Sequence, residues 1–278
     1  MRRYTIHVVL FILTVASTWL TWGPLYSIPI MLILLGHEMG HYLVSRRNGI
    51  RATLPFFLPL PLISPFGTLG AVIRMQGTVP SRKALFDTGV AGPLTSFFLS
   101  IPAVVVGLNL SKVIPVTHIK GEMIQLADPL LFTLVQRFAM QDVPSHYELV
   151  LHPIAYAGWV GLFVTALNLL PIGQLDGGHV AYALFGRKTR RVSAIVIGVT
   201  AYIFIFYSIA WFLLLILMIL LGFKHPPPLD DQTPLGTTRT LLGGMAFLIL
   251  VLSFTPAPFP EVPSLIDLIH NGFSSLLR

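Results

Sequence analysis

The 278-residue sequence carries His37-Glu38-Met39-Gly40-His41 toward the end of an otherwise uncharged apolar run. Ionisable groups at membrane depth are costly and mark functional positions by default. On a helix, positions i and i+4 share a face, so His37 and His41 can offer two ring nitrogens to one zinc ion. Glu38 lies next to His37 around the helix. A carboxylate so placed can take a proton from an attacking water and pass it to a leaving amine. Gly40 keeps the helix face slim, which lets another element come close. The competing reading is a pair of interfacial histidines that match the pattern by chance.

Two histidines do not complete such a site, because a hydrolytic zinc usually has three protein ligands and one open position. Among the 11 acidic residues, Asp176 stands out. It follows an apolar run in Asn168-Leu169-Leu170-Pro171 and Leu175-Asp176-Gly177-Gly178-His179. Pro171 interrupts a helix there, and the glycines permit a tight turn and close backbone approach. Taken alone, Asp176 also reads as an ordinary turn aspartate. Asn168 is polar inside an apolar run, which fits either a helix–helix hydrogen bond or a group facing a scissile peptide. His179 could be a fourth ligand, but that would close the water position, so a supporting or loop role is expected. His152 reads as interfacial and His7 as a packing or hydrogen-bonding residue. His118, His146, His225 and His270 fall in connections and carry no expected ligand role.

These residues must be positioned by a membrane protein. Hydrophobic residues make up 54% of the chain and charged residues 10%, against roughly 25% charged in a soluble domain. So much apolar surface cannot be hidden from water, and lipid must solvate it. The absence of cysteine excludes a disulfide scaffold, a cysteine-ligated zinc finger, an iron–sulfur protein and a cysteine enzyme. The net charge of +7 does not point to nucleic acid, because the basic residues sit at the ends of apolar runs, as membrane anchors do. Met1-Arg2-Arg3 before an apolar run resembles the start of a signal peptide. No small-x-small cleavage site follows, so a retained first span is expected.

Apolar runs cover about 4–22, 25–44, 84–110 and 149–170, then the uncharged stretch 192–223 and a last run over 241–254. The stretch 192–223 exceeds what one helix needs for a hydrocarbon core of about 30 Å. It is read as two helices turning near Phe206-Tyr207-Ser208. The segment 52–80 is apolar but rich in proline and glycine. It is read as a re-entrant or interfacial segment with a short strand over 69–75. The connection 112–147 is expected to hold an interfacial amphipathic helix over 123–140. The expected fold is an all-α polytopic membrane protein with about seven transmembrane helices and a re-entrant or β-like segment between the second and third. Its parts would be a first transmembrane helix (1–23), a catalytic membrane core (24–191) and C-terminal transmembrane helices with a tail (192–278). With seven alternating spans and a cytoplasmic N-terminus, fourteen of the 18 basic residues fall on the inner side. Lys112, Lys120, Arg137 and Arg278 remain outside, a strong positive-inside bias.

The sequence resembles the site-2 protease family of intramembrane zinc metalloproteases (peptidase family M50) over roughly residues 30–190. Three blocks carry the resemblance. They are His37-Glu38-Met39-Gly40-His41; Phe66-Gly67-Thr68-Leu69-Gly70-Ala71, then Pro80-Ser81-Arg82-Lys83-Ala84-Leu85-Phe86-Asp87 with Ala91-Gly92-Pro93-Leu94; and Asn168-Leu169-Leu170-Pro171 with Leu175-Asp176-Gly177-Gly178. The middle block looks most like the branch containing chloroplast members and their prokaryotic relatives. The resemblance implies that His37, His41 and Asp176 bind zinc, that Glu38 is the general base, and that Asn168 faces the substrate or the developing oxyanion. It implies that Gly92-Pro93 packs beside the catalytic helix and that the Gly67 and Gly70 segment helps receive an extended substrate. It also implies single-span membrane-protein substrates such as anti-sigma factors or membrane-anchored regulators. The connection 112–147 is too short for the PDZ domain that many bacterial relatives insert, and the C-terminal CBS pair of others is absent. His225-Pro226-Pro227-Pro228 lies outside the matching blocks and reads as a spacer, or as a linker laid across the active-site entrance.

The expected activity is therefore zinc-dependent hydrolysis of peptide bonds in or near transmembrane segments. The expected setting is a prokaryotic cell membrane, with the N-terminus and the site toward the cytoplasm. The alternatives are a membrane zinc transporter, which would need ligands through both leaflets, and an inactive protease-like scaffold, against which Glu38 argues.

Overall fold

The computed structural model describes residues 2–118, 124–140, 143–144, 146–221 and 225–276. Met1, Lys120, Met123, Lys224 and Arg278, invoked above for the N-terminal reading, the charge bias or the connection helix, lie outside the described residues.

The chain opens with α1 (Arg2–Trp22) and α2 (Pro24–Arg47). Gly23, at φ 80°, and Pro24 at the first helical position separate them. Four short strands follow: β1 (Arg51–Ala52), β2 (Phe56–Pro59), β3 (Thr68–Val72) and β4 (Met75–Gln76). β2 pairs antiparallel with β3, with Phe56 opposite Val72, and β1 pairs antiparallel with β4. Side chains of the helices satisfy the backbone of the intervening turn. Trp22 Nε1 donates to the Pro65 carbonyl at 2.7 Å and Tyr26 Oη to that of Phe66 at 3.0 Å.

The long helix α3 (Arg82–Leu110) starts at Ser81, whose hydroxyl accepts from Ala84 N. Beyond it come β5 (Lys112–Pro115), α4 (Leu130–Ala139) and β6 (Tyr147–Val150), which pairs antiparallel with β5. The helix expected over 123–140 is thus shorter, over Leu130–Ala139. Next are α5 (Pro153–Asn168), α6 (Asp176–Phe185) and α7 (Thr189–Phe206), the last two joined by one 3-10 turn. The helix breaks at Tyr207–Ser208, where Ser208 is extended and its hydroxyl accepts from Ala210 N. α8 (Phe212–Leu221), α9 (Thr237–Ser253) and α10 (Leu265–Leu276) complete the chain.

The expected membrane architecture is corrected here. Among the described residues, four helices are long and apolar enough to cross a membrane, not about seven: Tyr4–Trp22, Pro24–Arg47, Arg82–Leu110 and Asp176–Phe206. Between α2 and α3 the chain forms two small two-stranded sheets in place of the re-entrant segment. The apolar runs misled for physical reasons. Part of 149–170 is strand, which leaves α5 with 16 residues, roughly 24 Å at about 1.5 Å per residue. α5 is apolar all round because protein surrounds it, packed on α2 and α3. α8 and α9 are likewise short, at 10 and 17 residues. The charge tally assumed seven alternating spans and falls with them.

The main core gathers around α5. Tyr26, Ile30 and Leu34 of α2 and Val104 and Leu108 of α3 pack with Trp159 and Phe163. The rings of Tyr156, Trp159 and Phe163 stack in series at 6.3 and 5.4 Å. After α8, residues 225–236 run back along the start of α3. Leu229 N and Asp230 N donate to the Val79 and Pro80 carbonyls, and Arg82 N donates to that of Asp230.

Candidate metal centre

His37 and His41 project from one face of α2, one turn apart, toward α3 and the start of α6. The two helices meet through bare positions. The His41 ring fills the space that a Cβ on Gly92 would need, and a Cβ on Gly40 would press on the Ala91 carbonyl and Thr95. Asp176 is the first residue of α6. The turn before it uses Gly173 at φ 50°, and a Cβ on Gly177 would overlap the Leu169 carbonyl.

The three side chains converge. His37 Nε2 lies 3.1 Å from His41 Nε2 and 3.2 Å from Asp176 Oδ2, and His41 Nε2 lies 3.1 Å from the same oxygen. Both imidazoles are buried, and the Asp176 side chain is 18% exposed. Ligands at about 2.0–2.1 Å around a tetrahedral zinc stand roughly 3.3 Å from one another. The triangle approaches that spacing.

The far side of each ring supports this use. His41 Nδ1 lies 2.7 Å from the Thr88 carbonyl, which can only accept, so Nδ1 carries the proton. His37 Nδ1 lies 3.0 Å from Ser96 Oγ, Ser96 Oγ lies 2.8 Å from Thr165 Oγ1, and Thr165 Oγ1 donates to the Gly161 carbonyl at 2.7 Å. One consistent assignment runs the donors from His37 Nδ1 through Ser96 and Thr165 to Gly161. It leaves both Nε2 atoms bare. Two imidazole lone pairs and a carboxylate oxygen then face one point, an arrangement that a cation satisfies.

Glu38 is buried on the same turn of α2, and the backbone of Ile73, between β3 and β4, lies beside its carboxylate. Asn168, the last residue of α5, places Nδ2 at 3.3 Å from His37 Nε2. The sequence-predicted residues His37, Glu38, His41, Asn168 and Asp176 therefore share one locality. His179 turns elsewhere, with Nδ1 at 2.6 Å from His225 Nε2, whose ring stacks on Tyr182 at a centroid distance of 4.7 Å. His152 accepts from Ile154 N at the start of α5, and His7 lies 3.0 Å from the Pro55 carbonyl.

Thr88, Ser96, Thr165 and Ile73 were not anticipated. Ser96 and Thr165 had a signal, as polar residues inside apolar helices. Thr88 and Ile73 act through the backbone, which residue type does not reveal.

The peptidase family M50 model matches residues 25–211. The chain is 31% identical over 235 residues to the "Probable zinc metalloprotease EGY1, chloroplastic" of Arabidopsis thaliana, covering 81% of this chain and 41% of that protein. It is 29% identical to the "Probable zinc metalloprotease EGY2, chloroplastic" of Oryza sativa subsp. indica, covering 82% and 42%. To the "Probable zinc metalloprotease EGY3, chloroplastic" of Oryza sativa subsp. japonica it is 30% identical, covering 79% and 39%. It thus spans about two fifths of the length of these relatives. No solved structure matches.

Proposed function

The chain belongs to peptidase family M50, and on that premise we propose that it is a zinc-dependent intramembrane endopeptidase that cuts membrane-protein substrates in or near their transmembrane segments. The observation that carries the reading is the buried convergence of His37, His41 and Asp176 beside Glu38. His37 and His41 hold the ion through Nε2 and Asp176 through its carboxylate. Zinc there supplies Lewis-acid polarisation of the scissile carbonyl and acidifies the attacking water. Glu38 takes the proton of that water and delivers it to the leaving nitrogen, its carboxylate beside the Ile73 backbone. Asn168 donates from Nδ2 to the developing oxyanion. The substrate helix unwinds locally before cleavage, because its carbonyls are otherwise occupied by intrahelical hydrogen bonds.

The substrates we assign are single-span membrane proteins, among them anti-sigma factors and membrane-anchored regulators. The relatives carry chloroplastic names. For this chain we place the N-terminus and the site toward the cytoplasm of a prokaryotic cell. The basic residues Arg46 and Arg47 at the end of α2, and Arg82 and Lys83 at the start of α3, support that orientation.

Glu38→Gln in the purified full chain tests the reading against a model transmembrane substrate. Zinc content should stay at the wild-type level while cleavage falls by about 10²–10⁴-fold. Cleavage at the wild-type rate would remove Glu38 from the mechanism.

A further inference from the structure

α2, α3 and α9 line an open cavity of about 550 Å³. Its α3 wall includes Asp87 and Val90, on a different face from Thr88 and Gly92, which meet His41. Helix ends form its rim. Arg47 is the last residue of α2, Asp87 lies in the second turn of α3, and Arg239 lies in the first turn of α9. Val90 and Leu242 line the wall about one turn deeper. A polar rim at helix ends above an apolar interior has the polarity profile of a bilayer leaflet.

The charges select a ligand. Arg239 forks onto Asp87, with Nε at 2.7 Å from Oδ1 and Nη2 at 2.8 Å from Oδ2. Among the described residues Arg47 has no carboxylate partner. Two guanidinium groups and one carboxylate leave a single positive charge, beside the Asn48 side chain. A phosphodiester carries one negative charge, and guanidinium is the group best shaped to bind it. Basic pockets between membrane helices are suited to lipid head groups, and the volume is within the range of ligand cavities.

We propose that this cavity is a phospholipid site. Arg47, Arg239 and Asn48 hold the phosphodiester, and an acyl chain runs down Val90 and Leu242 into the bilayer. The proposal rests on the chain being a membrane protein and not on the protease reading, and its test does not read proteolysis.

The full chain, purified in detergent, is analysed by native mass spectrometry for retained phospholipid. Its thermal midpoint is then measured with added phosphatidylglycerol or inorganic phosphate. The wild type should retain phospholipid and be stabilised by phosphatidylglycerol but not by phosphate. Arg47→Gln, at an exposed helix end, should weaken retention by about tenfold, and Leu242→Trp, which fills the cavity, should abolish it. Unchanged retention in Arg47→Gln overturns the proposal, whether or not Leu242→Trp folds. Equal stabilisation by inorganic phosphate overturns the lipid assignment in favour of a free-anion site.

Discussion

His41 Nδ1 donates to the carbonyl oxygen of Thr88 at 2.7 Å, so a backbone atom of α3 sets the tautomer of a residue on α2. The Thr88 side chain has no part in this, and its hydroxyl is buried with no hydrogen-bond partner among the described residues. Thr88→Val should therefore leave zinc affinity within about threefold of wild type. Thermal stability should be unchanged or raised, because removing an unsatisfied buried hydroxyl removes a desolvation penalty of about 1–3 kcal/mol. Chelator competition and thermal unfolding check both. A large loss of zinc affinity would mean that the hydroxyl, and not the carbonyl, supports the ring.

Gly92→Ala acts in the opposite way. The new methyl group would occupy the volume of the His41 imidazole, and α3 cannot retreat without parting from α2. Zinc content should fall at least about tenfold, the scale on which displaced supporting groups weaken metal sites, while circular dichroism remains helical. A fully loaded Gly92→Ala protein would show that the ring can move without cost.

Ser96→Ala cuts the relay that runs from His37 Nδ1 through Ser96 to Thr165. Loss of such a partner costs a metal site about 10–100-fold in affinity. Ser96→Thr, which keeps the hydroxyl, should restore most of it. Equal affinities for the alanine and threonine variants would make Ser96 a packing residue only.

Acid should loosen the segment after α8. The Asp230 carboxyl is held below its usual range by hydrogen bonds from Thr233 and then by the Gln232 amide. The ionised form is thus the one favoured in the folded state. Its stabilising contribution is complete above the ordinary aspartate value of about 3.9 and is lost as pH falls through the lower native value. Protection of the Gln232 and Thr233 amides, taken relative to the intrinsic exchange rate at each pH, should fall across that acidic window in the wild type. Asp230→Asn should lose this pH dependence, and an identical profile would assign the effect elsewhere.

The site was far more legible in the sequence than the membrane architecture. His37 and His41 could be paired because i, i+4 spacing is a local property of any helix, and Asp176 because prolines and glycines flank it. Hydropathy records only that a residue is apolar, not whether lipid or protein surrounds it. Trp159 and Leu162 of α5 are fully buried against other helices, so the apolar run of this 16-residue helix answers to protein packing and does not by itself identify a span. The contact between His179 and His225 joins positions 46 residues apart in sequence. It was out of reach because it depends on how residues 225–236 return along α3.

Zinc-edge X-ray absorption on the purified full chain tests the metal centre most directly. It should report zinc bound by two imidazole nitrogens and a carboxylate oxygen at about 2.0–2.2 Å, with the imidazole signal lost in a His37→Ala, His41→Ala double variant. A native protein without zinc, or a zinc environment that the double variant leaves unchanged, would contradict the account.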